Sequence, residues 1–170
     1  MTVLLSSQGQ YDLFRRYNMD LRVRELIKKI RTDKNITFLL ALAAVGVFIA
    51  QIVYYVQKGE VFSLKRGFQA LFLSVTLFLL FAVLQRITKT GKPFDKTIVT
   101  LLRVMAVVVI VGGVLPSCVE VFIVVIRGGI YTIDIADLDI FVPVLGVMIG
   151  IFSEIFSYGN DLQEDNDMIA

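Results

Sequence analysis

The feature that most constrains this chain is a succession of four long apolar runs separated by short charged segments. The runs cover approximately residues 36–56, 67–85, 98–126 and 140–158. A helix of about 20 residues crosses the roughly 30 Å hydrocarbon core of a bilayer, and each run has about that length or more. The pattern therefore predicts an all-α integral membrane protein whose four transmembrane helices form a bundle.

Composition favours the same class of protein. Hydrophobic residues make up 56% of the 170 residues, whereas soluble domains contain about 45–50% apolar residues. The mean hydropathy is +0.76. Charged residues amount to 19% of the chain and are concentrated between the apolar runs, as expected for loops that connect membrane spans.

Residues 1–35 form a basic segment with eight Lys and Arg residues against four acidic ones. Within it, apolar residues recur at helical spacing, so that an apolar stripe lies beside a cationic face. The stripe comprises Leu13, Phe14, Tyr17, Leu21, Val23, Leu26, Ile27 and Ile30. We expect an amphipathic helix, cytoplasmic or interfacial, that lies on the membrane surface or packs beneath the bundle.

The distribution of Lys and Arg predicts the orientation of the spans, because these residues are retained on the cytoplasmic side. The N-terminal segment holds eight and the 86–96 loop holds four, whereas the two remaining loops together hold four. Twelve against four predicts that both termini are cytoplasmic. Residues 159–170 would then form an acidic cytoplasmic tail.

The chain lacks the side chains that most enzymes and metal sites use. It contains no His, and its only Cys is Cys118 within the third apolar run. This excludes the usual His and Cys metal clusters, the serine triad and Cys–His nucleophile pairs. We therefore expect a protein that is not an enzyme and has no cofactor, metal site or catalytic residue.

Three ionisable residues interrupt the apolar runs, namely Arg103, Glu120 and Glu154. A charge at the centre of a bilayer costs about 2.5–3.5 kcal/mol on insertion scales, so such residues usually face a partner, a cavity or an interface. Arg103 and Glu154 lie at similar depths and could form an ion pair between the third and fourth helices. Glu120, near the outer end of the third run, is expected to reach outer water.

Small residues mark the fourth run at helical spacing. Gly146 and Gly150 lie four residues apart, and Ser153 and Ser157 follow on nearly the same face. Small residues allow helix backbones to approach closely, and serine hydroxyls can form hydrogen bonds across the contact. We expect this stripe to seat the fourth helix in the bundle, and a homo-oligomeric contact is the alternative.

The third run is longer than a bilayer requires, so tilting, bending or protrusion must absorb the excess. Gly112, Gly113 and Pro116 offer a place for a bend, because proline removes a backbone donor and clashes with the preceding turn.

The four-span layout, Gly-Lys-Pro-Phe at residues 91–94 and the ending Ile-Phe-Ser-Tyr-Gly-Asn-Asp-Leu-Gln-Glu-Asp-Asn-Asp-Met together resemble domain-of-unknown-function family 2975. The likeness covers about residues 36–169 and leaves the N-terminal basic segment aside. The resemblance implies a small membrane protein of the bacterial plasma membrane. It also implies a partnership with a small helix-turn-helix transcription regulator and attaches no catalytic activity.

Two functional hypotheses follow. The first is a non-enzymatic membrane protein that regulates or sequesters a cytoplasmic partner, such as a small helix-turn-helix regulator, by means of the acidic end of the chain. The candidate docking residues are Tyr158, Gly159, Leu162, Gln163, Glu164, Asp165 and Asp167. The alternative is a small transporter, export component or ligand sensor that uses the three intramembrane charges.

The expected partners are the lipid bilayer and, beyond it, the regulator. Direct nucleic-acid binding is not expected, because basic residues beside a membrane span more often contact anionic lipid.

Overall fold

The computed structural model describes the backbone of residues 2–90, 95–128 and 140–169. Side chains are described for the same residues except 2–24, 27, 163 and 166–169. All regular structure in these residues is helical. The four helices are α1 (Thr2–Lys58), α2 (Val61–Thr90), α3 (Lys96–Ile126) and α4 (Phe141–Ile169). Each helix contains a segment long and apolar enough to cross a membrane: Lys28–Lys58, Val61–Thr90, Lys96–Ile126 and Phe141–Leu162.

Local signals explain three helix boundaries, the end of α1 and both ends of α3. Gly59 follows α1 with a φ of +71°, and Gly128 follows α3 with a φ of +74°. This left-handed conformation favours glycine because a Cβ would clash there, and it commonly terminates helices. Asp95 caps α3, since its carboxylate accepts a hydrogen bond of 3.1 Å from the backbone N–H of Thr97.

Two boundaries differ from the sequence expectation. Residues 1–35 were expected to form a helix separate from the first span, but α1 continues from Thr2 through residue 35 to Lys58. At about 1.5 Å per residue, this single helix is roughly 86 Å long. Likewise, α4 does not stop at residue 158 and includes the acidic segment up to Ile169. In both places the charge pattern changes while the helical hydrogen bonding continues.

The four helices form a bundle in which each packs chiefly on its neighbours in sequence, α1 on α2, α2 on α3 and α3 on α4. The N-terminus of α1 and the C-terminus of α4 lie at the same end. We call this the terminal end, and the end that carries Gly59 and Arg127 the distal end.

Small side chains dominate the contacts between helices. Ala41, Ala44, Ala70 and Ala106 are buried, and Ser74 donates a hydrogen bond of 3.4 Å to the carbonyl of Ala41 across the α1–α2 contact. Many of the large apolar side chains point outward on all four helices, although a few, such as Ile98 and Met105, are buried. Examples of the outward-pointing ones are Leu39, Val53, Leu73, Val107, Phe122, Ile151 and Phe152.

Candidate functional site

The most buried charges in the described part of the chain form an ion pair between α2 and α3, toward the distal end. Lys65 Nζ lies 2.8 Å from Glu120 Oε2, and the two side chains are only 9% and 15% exposed. Oε2 is enclosed by protein, and the Lys65 ammonium supplies the opposite charge beside it. Charge attraction therefore holds the carboxylate, and the expectation that Glu120 reaches outer water is wrong.

Arg127 connects the helices at the distal end. The Arg127 guanidinium, just after α3, donates hydrogen bonds of 3.0 Å to the carbonyl of Gly59 and 3.1 Å to the hydroxyl of Tyr55. These contacts join the end of α3 to the α1–α2 junction. Lys65, Tyr55 and Arg127 were not among the sequence candidates, because their roles depend on how the helices are rotated about their axes.

Arg103 and Glu154 meet across the α3–α4 contact. Arg103 Nε donates to Glu154 Oε1 and Nη2 donates to Oε2, each at 3.2 Å, which makes a two-pronged pair. The side chains are 54% and 67% exposed, so the pair lies on the outer surface of the bundle. The structure thus contains the α3–α4 ion pair that the sequence analysis gave as one possibility.

Two further ion pairs lie at the terminal end. Lys96 Nζ approaches Glu164 Oε2 to 2.9 Å and ties the start of α3 to the acidic part of α4. Arg86 Nε donates to Asp95 Oδ2 at 2.7 Å. The Arg86 hydrogen bond, with a smaller contribution from the Thr97 N–H, lowers the pKa of the Asp95 carboxyl below its ordinary value. Residues 91–94, the Gly-Lys-Pro-Phe segment, fall outside the described part.

The small-residue stripe of α4 lies against α3. A Cβ on Gly146 would come within 2.6 Å of Ile110 Cγ1 and 2.9 Å of the Ala106 carbonyl, so only glycine fits there. Gly150 is less confined, because its nearest such contact is Ala106 Cβ at 3.8 Å. Ser153 is buried and donates to the Gly150 carbonyl in its own helix at 2.7 Å. Ser157 is half-buried.

Gly112 and Gly113 are also packing positions, on two different faces of α3. A Cβ on Gly112 would meet the Phe72 side chain of α2 at 2.6 Å, and one on Gly113 would meet Pro143 of α4 at 2.5 Å. α3 continues through the buried Pro116 as one helix to Ile126. These glycines let α2 and α4 approach α3 closely.

The end of α4 presents part of the proposed docking set on one face. Tyr158, Leu162 and Asp165 are exposed and lie four and three residues apart, which places them together on a helix. Gly159 is half-buried, and Glu164 is engaged by Lys96. The side chains of Gln163 and Asp167 lie outside the described residues.

Within the described ranges, no group of three or more His, Cys, Asp or Glu side chains is placed to hold a metal ion. Comparison with known protein families, with curated proteins and with solved structures finds no match for the chain. The resemblance drawn from the sequence therefore stays a prediction, and the functional argument rests on the geometry.

Proposed function

We propose that the chain is an integral membrane protein of the bacterial plasma membrane, with four spans and both termini in the cytoplasm. The outward-facing apolar side chains support insertion. Exposing apolar surface to water is unfavourable by about 25 cal/mol for each square ångström. In a bilayer the same side chains would contact lipid tails, which are equally apolar, so this cost would not arise. Helices held together by alanines, glycines and serines are also typical of membrane bundles.

We further propose that the protein is non-enzymatic and regulates or sequesters a cytoplasmic partner, such as a small helix-turn-helix transcription regulator. The observation that carries this proposal is the continuation of α4 as a helix beyond residue 158, where the fourth apolar run of the sequence ends, up to Ile169. A helix that projects from the membrane presents side chains at fixed spacing, and little ordering entropy is then lost on binding.

The proposed docking surface is the exposed α4 face of Tyr158, Leu162 and Asp165. Two apolar or aromatic anchors beside a carboxylate suit a groove with a basic rim, which a DNA-binding regulator offers. The Lys96–Glu164 pair supports this arrangement, because it fixes the rotation of the projecting helix relative to α3. Binding of the acidic face and binding of DNA by the regulator would then compete.

Site-specific photo-crosslinking in native membranes tests this proposal. A photoreactive phenylalanine derivative replaces Leu162 in one variant and Asn160, about 160° around the helix, in a matched variant. We expect a helix-turn-helix protein crosslinked from position 162, identified by mass spectrometry, and a much weaker product from position 160. Asp165→Lys should reduce the product from position 162. Equal crosslinking from both positions, or no such protein from position 162, would contradict the docking proposal.

The buried Lys65–Glu120 pair favours a second candidate function, a small transporter, export component or membrane ligand sensor. Buried ion pairs within membrane helices often mark ion or proton pathways. This candidate predicts that Lys65→Met combined with Glu120→Leu abolishes uptake, efflux or ligand response while the protein still folds. The regulator proposal predicts that the same double variant keeps its crosslink from position 162.

A further inference from the structure

A groove of about 360 Å³ lies between α1 and α2 toward the terminal end and is open to the surroundings. Its walls are Lys34, Asn35, Phe38, Leu39 and Phe81. The Phe38 and Phe81 rings lie 5.4 Å apart, and the Lys34 ammonium lies 5.8 Å from the centre of the Phe81 ring. The groove is thus apolar along most of its length and carries a cation and an amide at one end.

The sequence order of these residues gives the groove a direction. Lys34 and Asn35 lie nearer the terminal end, and Phe38 and Leu39 lie one turn further along α1, toward the middle of the first apolar run. Lys28 and Arg31 continue the same face of α1, since Lys28, Arg31, Asn35 and Phe38 are spaced by three, four and three residues. Polarity therefore falls along the groove from the terminal end into the span.

The electrostatic surroundings of the groove are positive. α2 contains no acidic residue, and Lys89 follows Phe81 by two helical turns. On α1, Asp33 points to a different face from Asn35 by helical spacing, and Glu25 precedes Lys34 by more than two turns. The charges that face the polar end of the groove are Lys34 and, behind it, Arg31 and Lys28.

We propose that this groove binds an anionic phospholipid of the cytoplasmic leaflet, with the phosphate at Lys34 and Asn35 and the first part of an acyl chain against Phe38, Leu39 and Phe81. This inference depends on the membrane insertion and orientation proposed above. Both parts of the groove bear on the choice of occupant. A soluble phosphate would leave the aromatic wall uncovered, and a zwitterionic lipid carries, beside its phosphate, a cation that Lys34, Arg31 and Lys28 would repel.

The site differs from general attraction of basic residues to an anionic membrane. Diffuse attraction depends on the number of cations near the surface and not on their position around the helix. In the groove, Lys34 is half-buried and held over an aromatic ring, so its charge is less screened than that of an exposed lysine. Lys29 offers a matched comparison, because it is an exposed lysine on the same helix, about 140° around from Lys34.

The test uses the full-length protein purified in detergent and native mass spectrometry with added lipid. Phosphatidylglycerol and phosphatidylcholine with identical acyl chains are compared, and glycerol 3-phosphate serves as the soluble probe. We expect saturable binding of phosphatidylglycerol in preference to the other two. Lys34→Gln should weaken that binding about fivefold, whereas Lys29→Gln should change it less than about twofold. Phe81→Leu should also weaken it, because the aromatic wall is lost.

Equal binding of phosphatidylcholine and phosphatidylglycerol would overturn the proposal, as would equal losses in Lys34→Gln and Lys29→Gln. Binding of glycerol 3-phosphate as tight as that of phosphatidylglycerol would overturn it in favour of a soluble phosphate ligand. Fractionation of the same variants reports on membrane insertion separately. Loss of lipid preference in a chain that still requires detergent for extraction refutes the groove alone, whereas release without detergent refutes the membrane assignment.

Discussion

Gly146 and Gly150 share one stripe of α4, yet their surroundings differ. The backbone of α3 and Ile110 approach Gly146 so closely that a methyl group has no room, whereas Gly150 has ordinary van der Waals space beside Ala106. Sequence spacing could identify the stripe, since small residues four apart lie on one helix face. The spacing could not show which of the two glycines has less room for a side chain, because that depends on where α3 and α4 approach most closely.

We predict that Gly146→Ala destabilises the bundle by about 1–3 kcal/mol, because the added methyl group must push α3 and α4 apart. Gly150→Ala should be neutral or stabilising by up to about 1 kcal/mol, since alanine favours the helix and meets no close atom. Unfolding in mixed detergent and denaturant, followed by circular dichroism, measures both. Equal destabilisation by the two substitutions would show that the close approach at Gly146 is absent.

The Lys65–Glu120 pair raises a different residue-scale question, because breaking a buried pair and replacing it have different costs. We predict that Lys65→Met destabilises the protein by about 3 kcal/mol, since it strands the Glu120 carboxylate among helices. Lys65→Met with Glu120→Leu should recover most of that loss. Lys58→Met, at an exposed lysine at the end of α1, is the control and should stay within about 0.5 kcal/mol. If Lys65→Met behaves like this control, the pair contributes nothing to stability.

Similar depth along the apolar runs suggested an Arg103–Glu154 pair as one option, and the structure contains this pair between α3 and α4. The pairing of Glu120 was not predicted, because its partner Lys65 precedes the second apolar run and was assigned to a loop. The structure instead places Lys65 in the first two turns of α2, which begins at Val61. Charged residues mark where a chain leaves hydrocarbon, but they do not end a helix.

At the scale of elements, the same reasoning explains which helix boundaries could be predicted. The four apolar runs each lie within one of the helices α1 to α4, except that Ile140 directly precedes α4. Near residue 35 the sequence contains neither proline nor glycine, and the only change is from charged to apolar residues, so nothing there predicts a break in α1. At the end of the fourth run, Gly159 and Asn160 are a signal that commonly ends a helix, yet α4 continues through them to Ile169.

The α2–α3 junction offers an element-scale prediction, because Asp95 both caps α3 and pairs with Arg86. Asp95→Asn keeps a capping side chain and loses the ion pair, whereas Asp95→Ala loses both. We expect thermal stability to fall in the order wild type, Asp95→Asn, Asp95→Ala. An Asp95→Asn variant as unstable as Asp95→Ala would mean that the cap contributes little.

The sign of the pH dependence at this junction follows from the pKa of Asp95, which is lower in the folded chain than its ordinary value. The stabilisation that the ionised Asp95 carboxylate contributes is fully present at pH values above the ordinary pKa of an aspartate. It is lost as the pH falls through the lower pKa of Asp95 in the folded chain. The difference in melting temperature between wild type and Asp95→Asn should therefore be constant near neutral pH and shrink in strong acid. A difference that grows on acidification would contradict the Arg86 pairing.

At the scale of the whole molecule, the bundle is built from sequential helix contacts and carries many of its large apolar side chains outward. The all-helical, four-helix architecture could be predicted because run length and hydropathy determine it. The two surfaces proposed to bind partners could not be predicted to the same degree. The sequence named Tyr158, Leu162 and Asp165, but their shared exposed face depends on the acidic segment being helical, and the groove proposed to bind lipid depends on the packing of α1 on α2.

The central claim is that the described helices cross a membrane and place the end of α4 in the cytoplasm. Cysteine accessibility tests it directly. In a Cys118→Ser background, Glu60→Cys and Asp165→Cys are treated with a membrane-impermeant maleimide in bacterial spheroplasts. We predict labelling at position 60 in intact spheroplasts and at position 165 only after permeabilisation. Labelling of position 165 in intact spheroplasts, or extraction of the protein by alkaline carbonate without detergent, would contradict the account.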